Sequence, residues 1–131
     1  MCRTVVLRHE LPDGSHHFDW LFEPEETDPA DPEARVLLTW RLPTPPPPPH
    51  EAGSSTLAAI RLPLHRLLYL DYQGPIEGGR GSVQQVASGQ AEILADTPAR
   101  FAARVSLGTQ HFCVEGEPTA PPAWVFRFDP A

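Results

Sequence analysis

Three side chains near the start of the chain have types and spacing that suit a divalent cation. His17 and Asp19 stand two residues apart within His16–Glu23, which reads as a strand, and side chains at i and i+2 of a strand project from one face. An imidazole and a carboxylate on one face can reach a single ion; oxygen and nitrogen donors suit manganese and are also accepted by zinc. His16 competes with His17 for this role. The alternation of Phe18, Trp20 and Phe22 against His17, Asp19 and Leu21 aligns His17 with Asp19 and sends His16 toward the aromatic face or the turn. The nearest third ligand is His9, at the end of the strand candidate Arg3–His9. Asp13-Gly14 marks the hairpin between the two strands. A strict two-residue turn there would pair residue 10 with residue 17 and put His9 on the wrong face, whereas a three-residue loop or a bulge would put His9 across from Asp19. A metal site therefore predicts an irregular hairpin.

The elements that must hold these residues are short and apolar. Phe18, Trp20 and Phe22 should face the core. A polar, acidic stretch from Pro24 to Glu33 leads to a further strand at Arg35–Leu42, and Pro43–Pro49 then reads as extended polyproline, part of an exposed excursion at about 43–55 that ends in a turn at Gly53–Ser55. That excursion is expected to be a stiff surface loop, with His50 solvated beside it. Thr56–Tyr72 is strongly apolar and carries His65, Tyr69 and Asp71; Gly74–Gly81 is a glycine-rich loop without the spacing of a nucleotide-binding motif. Strands follow near Ser82–Ala87, Gln90–Leu94, Phe101–Leu107, His111–Glu115 and Trp124–Phe128. His111 and Cys113 share a strand face and read as structural. Seven or eight short strands predict a mainly β fold, a small antiparallel barrel with long loops and little helix, because closure removes exposed edges.

Composition bounds the function. A chain of 131 residues fits one domain, 1–131. Seventeen prolines argue against long helices. A net charge of −7 excludes a generic nucleic-acid coat, so a nucleic-acid substrate would have to be gripped locally. Two cysteines, Cys2 and Cys113, argue against a disulfide framework, the first ten residues lack a signal-peptide pattern, and no stretch approaches the roughly 20 apolar residues of a membrane span. A cytoplasmic protein without membrane contact is expected.

The order of features resembles the phosphoesterase domain of bacterial DNA ligase D. The residues that carry the resemblance are His9, His17-Phe18-Asp19, Trp40, His65-Arg66-Leu67-Leu68-Tyr69, Asp71-Tyr72-Gln73-Gly74, Ile76–Gly81 and Trp124–Asp129, nearly the whole chain. The resemblance implies a manganese-type metal on His9, His17 and Asp19, with His65 and Tyr69 contacting the scissile phosphate. It implies removal of a 3′-terminal ribonucleotide or a 3′-phosphate at DNA ends under repair, here by a free-standing version that would need a separate ligase or polymerase partner. A small phosphate ester is the other substrate class.

Three cations of the family pattern are missing. Leu21 stands where the family has an arginine, Thr44 near the place of a lysine, and Leu57 in place of another arginine. Each charge-assisted phosphate contact contributes about 1.5 to 3 kcal/mol, so their loss demands substitutes or a shifted substrate preference. Arg61, Arg66 and Arg80 are the available replacements, and Arg80 is preferred because neighbouring glycines let the backbone approach a ligand. Two other functions compete with the phosphoesterase. A non-haem iron enzyme would combine His17 and Asp19 with the distant His111; a non-catalytic metal-binding interaction module would recruit a partner through the proline run.

Overall fold

The computed structural model describes residues 1–24, 31–48 and 55–130; His50 and most of the Gly53–Ser55 turn lie outside them. Nine strands follow in chain order: β1 (Cys2–Glu10), β2 (His16–Phe22), β3 (Arg35–Leu42), β4 (Ser55–Arg66), β5 (Gly74–Pro75), β6 (Ser82–Thr97), β7 (Arg100–Leu107), β8 (Gln110–Ala120) and β9 (Ala123–Pro130). The only helical element among the described residues is one 3-10 turn, Leu67–Leu70, directly after β4.

All pairings are antiparallel, and the sheet runs β1-β2-β3-β4-β9-β8-β7-β6 before β6 pairs back with β1. Eight strands thus close a ring, with β5 a short addition beside β6. The mainly β expectation holds. Alternation explains the closure: Phe18, Trp20 and Phe22 of β2 turn inward to meet Trp40 of β3, Phe101 of β7, Phe112 of β8 and Trp124, Phe126 and Phe128 of β9, all buried in one cluster. Trp20 is fully buried and its indole N–H donates to the Thr4 hydroxyl (2.8 Å), which donates in turn to the Leu21 carbonyl (2.8 Å). A buried polar atom without such a partner would cost about 1 to 3 kcal/mol.

A second apolar cluster, not foreseen from the sequence, lies outside the ring. Val5, Leu7, Leu21, Leu37 and Val83 project outward from β1, β2, β3 and β6, and the 3-10 turn covers them with Leu67, Tyr69 and Leu70. The outward face of β2 is therefore polar only toward its start, at His17 and Asp19.

Several expected boundaries change. Ser82–Ala87 and Gln90–Leu94 form one sixteen-residue strand, β6, because Gly89 sits so close to β7 that a Cβ there would lie 1.8 Å from the Ser106 carbonyl oxygen. Glycine continues the ladder there instead of breaking it. Among its described residues the proline stretch is exposed at Pro43–Pro45, while Pro46 and Pro48 are buried, so the described part of the excursion is not a free surface strap.

Candidate metal centre

The β1–β2 hairpin sets the site. Its loop is Pro12-Asp13-Gly14, closed by the Leu11 N–H donating to Ser15 O (2.8 Å) and the Gly14 N–H to Leu11 O (3.0 Å), with Gly14 at φ +88°. A three-residue loop with a left-handed glycine is the common alternative to the two-residue turn. Asp13 accepts from the Ser15 hydroxyl and N–H, which fixes the loop and lowers the Asp13 carboxyl below its ordinary range. The register that follows places His9 opposite His17 and Leu7 opposite Asp19. His9 was expected across from Asp19; it lies one diagonal step away, on the same face.

The three side chains converge. His9 Nδ1 is 3.1 Å from His17 Nε2 and 3.6 Å from Asp19 Oδ2, while His17 Nε2 is 3.2 Å from Asp19 Oδ1. Donors on a six-coordinate cation with bonds near 2.1 Å stand about 3 Å apart, so this spacing fits one ion. Asp19 Oδ1 is buried without a hydrogen bond of acceptable geometry, an orphaned oxygen of the kind that a cation would satisfy. The side chains are 14%, 12% and 5% exposed for His9, His17 and Asp19, and no other group of this kind occurs among the described residues.

Outer contacts orient the set. His9 Nε2 lies 2.8 Å from the Arg80 carbonyl oxygen, an acceptor only, so Nε2 carries the proton and Nδ1 presents its lone pair to the cluster. Gly81 (φ +92°) makes this approach possible, since a Cβ there would fall 1.9 Å from the Glu10 carbonyl oxygen. Burial alone would raise the Asp19 carboxyl, but the imidazoles of His17 and His9 outweigh it and hold Asp19 at about 2. His9 is raised above its usual value, chiefly by Asp19 and with help from the Arg80 carbonyl, against burial and the nearby Arg41 charge.

Beside this cluster opens a cleft of about 130 Å³ lined by His9, Asp19, Arg35, His65, Arg66, Tyr69 and Arg80 over an apolar floor. That volume holds several waters or a phosphate-sized group, well short of the roughly 300 Å³ at which whole-ligand pockets begin. His65 Nδ1 meets the Pro63 carbonyl (2.9 Å), which leaves Nε2 as the free ring nitrogen. Arg66 donates to Glu33 (2.8 Å) and to the Tyr69 hydroxyl (3.1 Å), and its guanidinium lies over the Tyr69 ring. Arg80 is braced by Nε donating to Glu77 O (2.9 Å).

Not every expected residue is here. Arg61 lies elsewhere, stacked 4.6 Å over Trp40 and paired with Asp96 (3.3 Å), because on β4 it is directly opposite Trp40. His111 is exposed on β8 with the Ser106 hydroxyl (2.8 Å) and does not join His17 and Asp19. Leu21 is fully buried beneath the outer cluster and Leu57 packs against the interior one, so both serve apolar packing. Arg35 escaped the sequence reading. It shares the outward alternation of Leu37, and that strand pattern was the available signal.

No protein-family model matches the chain, and no curated protein matches it. No helix among the described residues is long and apolar enough to cross a membrane.

Proposed function

We propose that this protein is a divalent-metal-dependent phosphoesterase acting on the 3′ ends of DNA or RNA, or on a small phosphate ester of the same chemistry. The observation that carries this reading is that the His9/His17/Asp19 donors and a cationic cleft with a histidine and a tyrosine open onto one another. His9, His17 and Asp19 would hold the ion, with manganese the expected metal and zinc compatible with the donors. When bound, such a cation polarises a phosphoryl oxygen and acidifies water.

The chain's own residues supply the rest. His65, with Nδ1 engaged by Pro63, offers Nε2 to take a proton from water or, once protonated, to give one to the leaving oxygen. The Tyr69 hydroxyl accepts from Arg66, so its own proton is free for a phosphoryl oxygen. Arg66 and Arg80 face the negative charge that builds on phosphorus-bound oxygens. The resemblance to the ligase D phosphoesterase domain supports the same assignment, and repair of 3′ ends beside a separate ligase or polymerase is the setting it suggests.

The test is an assay on a primer-template ending in one 3′ ribonucleotide or a 3′-phosphate, with and without Mn²⁺, beside Asp19→Ala. Metal-dependent release by the wild type and none by the variant is expected; absence of metal-dependent turnover overturns the reading. A ferrous oxygenase would draw on the same two-histidine, one-carboxylate set, with His9 in the place first considered for His111. Oxygen consumption with Fe²⁺ would reveal it.

A further inference from the structure

We propose that Arg35, Arg66 and Arg80 form an anion clamp that selects a terminal phosphate monoester over an internal phosphodiester. The inference rests on the phosphoesterase reading and names its substrate class. The three arginines reach the cleft from separate elements: the first residue of β3, the last residue of β4 and the glycine-rich loop before β6. No two are neighbours in sequence, yet all line one space of about 130 Å³.

Their pairing leaves charge to spare. Arg66 is engaged by Glu33, but Glu33 is 65% exposed, so its hold on the guanidinium is weak and readily exchanged for a phosphate oxygen. Arg80 uses Nε on the Glu77 carbonyl, and its two terminal amino groups have no hydrogen-bond partner among the described residues. The Arg35 side chain makes no ion pair among the described residues. Among the described residues that line the cleft, Asp19 is the only carboxylate, and it is engaged by His9 and His17.

Charge and space point the same way. A phosphate monoester carries about −1.5 to −2 charges at pH 7 and three unesterified oxygens, against one charge and two such oxygens for a diester. Three guanidinium groups gain most from the more highly charged, less substituted group. The small cleft admits a phosphoryl group with one ester arm leading outward, while a diester must find room for two. Hydrolysis of the monoester balances simply: a water oxygen bonds to phosphorus, the ester P–O bond breaks, and the water proton ends on the departing oxygen. The products are an alcohol and inorganic phosphate.

Binding and turnover are both measured on the full chain. The probes are an oligonucleotide with a 3′-phosphate, the same oligonucleotide with a 3′-hydroxyl, p-nitrophenyl phosphate and bis(p-nitrophenyl) phosphate, each with Mn²⁺-loaded and chelator-treated protein. The expected result is affinity for monoesters at least about tenfold above that for the diester and the 3′-hydroxyl strand, equivalent to about 1.4 kcal/mol. Arg35→Gln and Arg80→Gln should each weaken monoester binding by about tenfold and lower diester binding less, and Arg35→Gln, which has no contact with the donor cluster, should leave Mn²⁺ affinity unchanged. Comparison of the oligonucleotide with p-nitrophenyl phosphate tells a nucleic-acid end from a small ester. Equal affinity for monoester and diester, or unchanged binding in both variants, overturns the clamp. Mn²⁺-dependent cleavage of the diester at the monoester's rate and affinity would sink the clamp and leave the phosphoesterase standing. Tight monoester binding without metal-dependent turnover would do the reverse.

Discussion

At the scale of single residues, Asp19 decides the behaviour of the site. Its carboxyl is held at about 2 against an ordinary 3.8, a gap worth about 2 kcal/mol of folding stability. Because the folded value is the lower one, this contribution is present above pH 3.8 and is lost as pH falls through about 2. His9 is shifted the other way: its raised value gives a contribution present below pH 6.5 that disappears as pH rises through the folded value. Both shifts draw on the same His9–Asp19 contact. Metal-free protein should therefore be most stable between these limits, and Asp19→Asn should flatten the profile on both sides; urea unfolding across pH in a chelator measures it. Mn²⁺ affinity should fall as the solution is acidified below neutrality, since His9 must give up its Nδ1 proton to bind. Calorimetric titration at pH 6 and pH 8 checks the direction. His17 and Asp19 were legible because two-residue alternation in β2 is unambiguous. Arg35 was not, since a charged residue at a strand's first position looks like ordinary surface until the opposite wall of the cleft is known.

At the scale of elements, the glycine-rich loop matters more than its composition suggests. Gly81 lets that loop press against Glu10 and deliver the Arg80 carbonyl to His9. Gly81→Ala adds a Cβ in a left-handed conformation and into the Glu10 carbonyl oxygen, and should cost about 1 to 3 kcal/mol. It should also weaken Mn²⁺ binding by about ten- to a hundredfold through loss of the His9 partner. A thermal melt and a metal titration on the same preparation separate the two effects. Gly14→Ala, where a Cβ would meet nothing within 4 Å, serves as the control for backbone strain alone and should leave metal affinity near wild type. Elements with clean alternation were readable: β3 has the bounds expected, Arg35–Leu42. β6 was not, because Gly89 and the exposed polar positions around it resemble a turn unless the close approach of Ser106 is known. Pro46 and Pro48 read as exposed for a similar reason: nothing local in a proline run tells which rings the body of the protein will cover.

At the scale of the molecule, two apolar clusters lie on opposite faces of β1, β2, β3 and β6, which form their shared wall. The inner one is dominated by aromatic rings; Trp20 lies 4.8 Å from Phe22 and 6.2 Å from Phe128, centroid to centroid. Trp20→Ala should cost about 3 to 5 kcal/mol, a large part of the 5 to 15 kcal/mol typical of a domain. It also leaves the Thr4 hydroxyl without its donor. Trp20→Phe keeps most of the volume and should cost less than half as much, as denaturant midpoints would record. The outer cluster went unread because strand alternation assigns one face to a core and says nothing of what covers the other; Leu67, Tyr69 and Leu70 decide that only once β4 turns into the 3-10 helix.

The three candidate metal donors all belong to residues 9 to 19, inside one hairpin, whereas ring closure joins Cys2 with Ala91 and Glu10 with Ser82. The donor set therefore needs only a short loop to assemble, and the ring needs the chain to close over about eighty residues, the slow and entropically costly event. A cation gripped by the early hairpin would fix the register of β1 and β2 before the remaining strands arrive. Mn²⁺ in the refolding buffer should accordingly raise the folding rate of the wild type, followed by stopped-flow tryptophan fluorescence, and leave that of Asp19→Ala unchanged. If Mn²⁺ slowed only unfolding, the hairpin would instead be among the last parts of the molecule to become native.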